Sequence, residues 1–221
     1  MDIPILYEDN HLLIVEKPVN VPVQGDESGD LDLLNMLKQD LKIRYQKPGN
    51  VYLGLVHRLD RPVGGAIVFA KTSKAASRLS NELRKQAIER EYLAVVRGKM
   101  KQPSGKLENY LVKDRQKNIV HVTKSSVKES KKAVLYYKVE TAAEGLSRVR
   151  VQLETGRPHQ IRVQLNQAGN PIYGDQKYGQ KVNRPGEQIA LWAERLSVKH
   201  PTKDEIITVY SEPPEQYPWN F

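Results

Sequence analysis

The sequence predicts a strand-rich globular chain carrying a few amphipathic helices, and three observations lead there. Short apolar runs separated by turn residues recur along most of the 221 residues. Leucines and alanines at helical spacing mark helices near 31–45 and 72–85, and Ile161, Leu165 and Ala168 mark a shorter one. At 39% hydrophobic and 28% charged, the chain has the composition of a soluble domain with a real core.

In order, Ile3–Tyr7 and His11–Lys17 flank Glu8-Asp9-Asn10 and read as an opening hairpin. Leu31, Leu34, Leu37, Leu41 and Tyr45 form the apolar row of the first helix, with Asp30 or Asp32 as its cap. Thr72 or Ser73 caps the second, whose buried face is Ala76, Leu79 and Leu83. Arg90–Gly98 is apolar on both faces and so a central strand. The basic stretch 99–130 suits exposed hairpins, and Val149, Val151 and Leu153 alternate with polar residues as a half-buried strand requires. Pro158 suits the first position of the short helix and Gly169 its end. Gln188–Ala193, Arg195–Lys199 and Glu205–Tyr210 close the chain as strands, and no linker or repeat divides it, so a single domain over 1–221 is expected.

Lysine and arginine exceed the acids to give a net charge of +9, which favours a polyanionic partner. Cysteine is absent, which excludes disulfides, thiolate metal sites and a thiol nucleophile. The five histidines have no metal-ligand spacing, so no metal is expected. With no secretory leader and no membrane-length apolar run, the expected compartment is the cytoplasm.

One acid stands out. Asp60 lies in Leu55-Val56-His57-Arg58-Leu59-Asp60-Arg61-Pro62, among basic side chains and between two apolar runs that hold it at a rigid rim. By itself it reads as a loop ion pair with Arg58 or Arg61. Two further blocks, Arg90-Glu91-Tyr92-Leu93-Ala94 and Thr155-Gly156-Arg157-Pro158-His159-Gln160-Ile161-Arg162, change that reading. With Pro171-Ile172-Tyr173-Gly174-Asp175 and the opening Ile5-Leu6-Tyr7-Glu8-Asp9 and Glu16-Lys17-Pro18, they resemble the RluA-class RNA pseudouridine synthases in identity, order and spacing across nearly the whole chain.

The resemblance implies an α+β (mixed α/β) fold, with a curved, mainly antiparallel sheet, flanking helices and a central RNA-binding cleft. It implies isomerisation of uridine to pseudouridine in structured RNA, ribosomal or transfer, with no cofactor, by a chain that works as a monomer. The catalytic pattern begins almost at Met1, so a stand-alone domain without the N-terminal S4 domain of many members is expected. Asp60 is then the carboxylate acting at the sugar, Tyr92 the aromatic on which the base rests, and Arg162 the cation that keeps Asp60 ionised. Arg58 holds the gap left by the extruded base. Arg61, His57, Arg157 and His159 are the other RNA-binding candidates, although His57 also suits a brace for the loop. Gly64 departs from a serine common at that point in the family, and Gln164 from a frequent histidine. Two other classes fit less well: an RNA-binding assembly factor, against which the intact Asp60, Tyr92 and Arg162 set argues, and a nucleoside hydrolase, which lacks a second placed acid.

Overall fold

The computed structural model describes residues 3–221. The chain falls into two compact units: residues up to Glu89 together with Ala193–Glu212, and Arg90–Trp192 together with Pro213–Phe221. Among the described residues, no helix is long and apolar enough to cross a membrane.

The first unit is built on β2 (Leu12–Lys17) and β4 (Gly64–Ala70), antiparallel from Leu12↔Ala70 to Lys17↔Gly65. Every residue of β4 is buried, as its unbroken apolar composition requires. β1 (Ile5–Glu8) completes the expected hairpin with β2, and the Asp9 carboxylate closes its turn by accepting the His11 and Leu12 N–H groups at 2.7 Å each. The two-residue β3 (Gly54–Leu55) pairs with β4, and β10 (Leu191–Lys199), lying beyond β4 and beginning at the unit boundary, carries β11 (Ile206–Tyr210). Gly65 is where this sheet needs a glycine. Its φ is +112°, and a Cβ there would sit 2.3 Å from the Ala193 carbonyl oxygen.

Two helices cover this unit. In α1 (Leu33–Arg44) Asp32 is the cap, accepting Asn35 N–H at 3.0 Å. The buried row is Leu33, Leu37 and Leu41 rather than the expected row through Leu31 and Leu34. Capping at Asp32 leaves Leu31 outside the helix and exposed, and the i, i+4 row from Leu33 then faces inward. In α2 (Ser73–Arg84), capped by Thr72, Ala75 and Leu79 are fully buried, while Ala76 and Leu83 pack at the margin.

The second unit is the antiparallel sheet β5-β9-β8-β6-β7. Its strands are β5 (Glu89–Arg97), β6 (Ser104–Asp114), β7 (Ile119–Thr123), β8 (Lys131–Ala143) and β9 (Leu146–Leu153). β5 is central, as its composition predicts. Opposite β9 its backbone is met by Arg97 N–H to Pro171 O, Tyr173 N–H to Val95 O and Val95 N–H to Ala190 O, at 2.8, 2.8 and 3.0 Å. The basic 99–130 segment forms the expected hairpin, β6–β7. α3 (Gln160–Gln167) packs on it through Val163, beside Leu111, Val120 and Ala133.

Two expectations need correction. Pro158 lies before α3 rather than at its first position, because His159 takes the cap with a left-handed backbone, φ 51°. The segments Gln188–Ala193 and Arg195–Lys199 meet in one strand, β10, which starts at Leu191 and continues through Glu194 without a break.

Gly65→Ala should lower stability by at least about 2 kcal/mol, from the forced φ and the backbone clash together. Urea denaturation checks this, and a loss below about 0.5 kcal/mol would contradict the close approach.

Candidate functional site

In the first unit Asp60 occupies the turn between β3 and β4, half-buried, and its carbonyl accepts Val63 N–H at 2.9 Å. Its surroundings are fixed by packing. Val56, Leu59 and Val63 are buried, and the His57 ring accepts the Val68 N–H of β4 at Nε2, 3.2 Å. The His57 ring is held inward at 8% exposure and ties the turn to β4.

Beneath this turn lies a group the sequence reading passed over. Lys17 ends β2 with no exposed surface, and its Nζ donates to Pro18 O, Val21 O and Arg61 O at 2.8, 2.7 and 2.9 Å. Three carbonyls match the three ammonium protons, so one side chain ties the strand end, the following loop and the Asp60 turn together. Burial drives its pKa down to about 7; the negative charge of Asp60 opposes that shift and the positive charge of Arg61 adds to it. The available signal was a lysine in register with buried positions of an apolar strand, directly before a proline.

The two arginines beside Asp60 diverge. Arg58 is exposed and, among the described residues, makes no hydrogen bond or ion pair, so its guanidinium is open to a ligand. Arg61, expected to face RNA, turns to an acidic loop instead. It donates to Ser28 Oγ at 3.1 Å and Asn20 O at 3.2 Å, pairs with Asp30, and lies 3.8 Å from Asp26. Its charge is answered within its own unit.

In the second unit Tyr92 lies on β5, opposite Val151, at 6% exposure. The Thr155–Arg162 block explains its own residue types. Thr155 Oγ1 accepts Val134 N–H at 2.8 Å and donates to Gln160 Oε1 at 2.8 Å, while Gln160 Nε2 donates to Val134 O at 3.0 Å. Arg157 N–H also reaches Gln160 Oε1, at 2.9 Å. These bonds fasten the start of α3 to β8 and fix where Arg162 emerges.

Arg162 is buried at 5% exposure and meets Asp175 in a two-bond pair, Nε to Oδ2 at 2.9 Å and Nη2 to Oδ1 at 2.8 Å. The sequence reading gave Arg162 one carboxylate, Asp60; within its own unit it has another. Burial would raise the Asp175 pKa, yet the Arg162 hydrogen bond and charge, with the Lys177 and Tyr178 N–H groups, hold it below the ordinary aspartate value. Tyr178 lies under the Arg162 guanidinium, 5.2 Å from ring centroid to Cζ. Its hydroxyl accepts Val120 N–H at 2.9 Å and shares a hydrogen bond with His159 Nδ1 at 2.6 Å. Arg157 is half-buried, with Nε on Lys132 O at 2.9 Å. At the departing position, the Gln164 amide nitrogen lies 2.8 Å from Asn109 Oδ1 and 3.2 Å from Ala133 O, so a neutral amide joins α3 to β6 and β8.

The fold is that of the pseudouridylate synthases. Human RNA pseudouridylate synthase domain containing 4 superposes with a TM-score of 0.79 at 22% identity, over 96% of this chain and 89% of that one. The corresponding human domain containing 1 protein gives 0.76 at 24%, over 96% and 84%. The model of the RNA pseudouridylate synthase family matches residues 11–167, and the chain belongs to that family. An uncharacterized RNA pseudouridine synthase of Bacillus subtilis is 38% identical over 210 residues, 93% of this chain and 67% of that protein. Ribosomal large subunit pseudouridine synthase C of Salmonella typhimurium is 32% identical over 213 residues, 93% and 65%. The chain thus spans about two thirds of the length of these curated relatives.

Two outcomes check these buried charges. The folded pKa of Lys17 lies below its unfolded value, so the unfolded chain holds the proton to higher pH and stability from this group rises with pH from about 7 toward the ordinary lysine value. The stability of the wild type relative to Lys17→Met, from urea curves between pH 6 and 10, should therefore grow with pH; a constant difference would mean an ordinary lysine. Asp175→Asn should cost about 3 kcal/mol at pH 7. Because its folded pKa is lowered, that advantage should be present above the ordinary aspartate range and shrink as pH falls below it, as measured in the same assay.

Proposed function

We propose that the two units act as one catalytic domain over 1–221 that converts uridine to pseudouridine in structured RNA, with ribosomal RNA as the substrate. Family membership supports the reaction, and the likeness to a ribosomal large subunit pseudouridine synthase of Salmonella supports the ribosomal target. The observation that carries the residue assignment is the bracing of Asp60, a half-buried acid on a turn secured by Lys17, His57 and three apolar side chains, beside the exposed Arg58.

In this reading the uridine is extruded from its stack, at a cost of roughly a few kcal/mol that is least in a loop. The bond from base N1 to C1′ breaks, the base turns, and a bond from C5 to C1′ replaces it. The C5 proton is lost and N1 gains one, so the reaction is balanced without oxidant or energy source. Asp60 supplies the carboxylate at the sugar. Tyr92 offers its ring face to the base and its hydroxyl near the C5 proton. Arg162 provides the fixed positive charge that favours an ionised carboxylate, and Asp175 and Tyr178 hold that guanidinium in one orientation. Arg58 takes the space the base vacates, with Arg157 and His159 as further RNA contacts. Arg61 secures the loop at 20–30. The enzyme works in the cytoplasm as a monomer.

Asp60→Asn should lower the rate of pseudouridine formation at least about a thousandfold while RNA binding stays within about threefold, measured by single-turnover assay and filter binding. Unchanged turnover would remove Asp60 from the reaction. Pseudouridine maps of total RNA with and without the gene should differ at ribosomal positions; a difference confined to transfer RNA would move the target. Binding should weaken steeply with salt, by about 0.7 to 0.9 log units per log unit of salt for each phosphate neutralised.

A further inference from the structure

Arg90 is the second residue of β5 and only 7% exposed, so a permanent cation lies almost wholly out of water. Among the described residues it makes no hydrogen bond or ion pair, and its Nε is buried with no acceptor. The carboxylates nearest to it along the chain and across the sheet are engaged elsewhere. Glu89 pairs with Arg195 at 3.1 Å, Glu91 lies 3.6 Å from Arg150, and Glu154 accepts the Tyr136 hydroxyl at 3.0 Å. A buried guanidinium in this state is unfavourable until an anion completes it.

Its surroundings are shaped for such an anion. Strand alternation puts Arg90 on the same side of β5 as Tyr92, roughly 6.6 Å away along the strand, with the half-exposed Glu91 on the other side. The loop after β9 leaves room for the guanidinium at Gly156, where a Cβ would lie 2.4 Å from Nη1 and 3.2 Å from both Cζ and Nη2. The Gly156 backbone is outside the left-handed region, so the missing side chain serves space rather than conformation. That loop is itself rigid, held on β8 by Thr155, Gln160 and the Arg157–Lys132 bond, and gives Arg90 no acceptor.

We propose that Arg90 is a phosphate-binding residue, its guanidinium fork taking the two non-bridging oxygens of an RNA phosphodiester next to the base that rests on Tyr92. Such a phosphate is the planar-fork ligand that an arginine, and not a lysine, fits with two bonds. The inference rests on the RNA-uridine reading given above and adds to it how the extruded nucleotide is gripped by its backbone.

The test uses a uridine-loop hairpin RNA selected in vitro for binding to the wild-type protein, made with one neutral methylphosphonate linkage at a time. In wild type, one linkage near the bound uridine should cost about tenfold or more in Kd, and in Arg90→Met the same linkage should cost nothing further. The variant should bind the unmodified hairpin correspondingly more weakly, with a salt slope lower by about one phosphate contact. Its melting temperature should equal or exceed that of the wild type, because an uncompensated buried charge has been removed. Gly156→Ala, which fills the berth but keeps the charge, should reproduce the binding loss. Equal methylphosphonate losses in wild type and Arg90→Met at every linkage would overturn the proposal. So would marked destabilisation or failure to fold of Arg90→Met, since Arg90 would then serve the fold. Pseudouridine in the hairpin is scored separately: coupling at one linkage with no isomerisation would remove the activity and leave the phosphate site standing.

Discussion

A buried ammonium with three carbonyl partners holds the chain around Asp60. Lys17 reaches back from the end of β2 to the loop it enters and across to Arg61, so the turn carrying the acid is fixed by backbone contacts that no surface ion pair could supply. The cost is a cation out of water, visible in a pKa pushed down to about 7. Asp60 offsets part of that cost through its charge, which couples the support to the group it supports. His57 adds a second inward contact, and Arg61 engages the acidic loop, whereas Arg58 is exposed and makes no ion pair among the described residues.

The second unit handles buried charge in two ways. Arg162 is satisfied by Asp175 with matched geometry, and the surrounding N–H groups and the Tyr178 ring narrow its freedom further. Arg90 is not satisfied. The contrast between two arginines of similar burial in one unit is informative because the fold evidently has the means to pair such a group. A completed pair positions a charge, whereas an incomplete one invites a ligand.

Much of this was legible before any coordinates. The blocks around Asp60, Tyr92 and Arg162 stood out by residue type and order, the hairpin and the central strand followed from local rules, and each of the first two helix caps was narrowed to two neighbouring candidates, of which the structure uses Asp32 and Thr72. The errors were also local in origin. Leucines at 31 and 34 matched a helical period as well as those at 33 and 37 did, and only the cap at Asp32 set the phase. Pro158 suited a first helical turn, but His159 adopted the left-handed conformation and moved the start.

Local chemistry in this chain therefore determined which stretches are unusual: an acid among arginines, and the blocks Arg90–Ala94 and Thr155–Arg162. It could not determine partners, because those depend on separations of tens of residues that only folding brings together. Lys17 meets Arg61, Thr155 meets Val134, and Gly156 makes room for Arg90 through sheet register and loop path. Which charges are answered from within the protein and which await a ligand was decided by tertiary structure, since burial sets the cost of a charge and packing alone selects the group that meets it. For Asp60, the sequence marked the acid, and the folded chain revealed what holds it still.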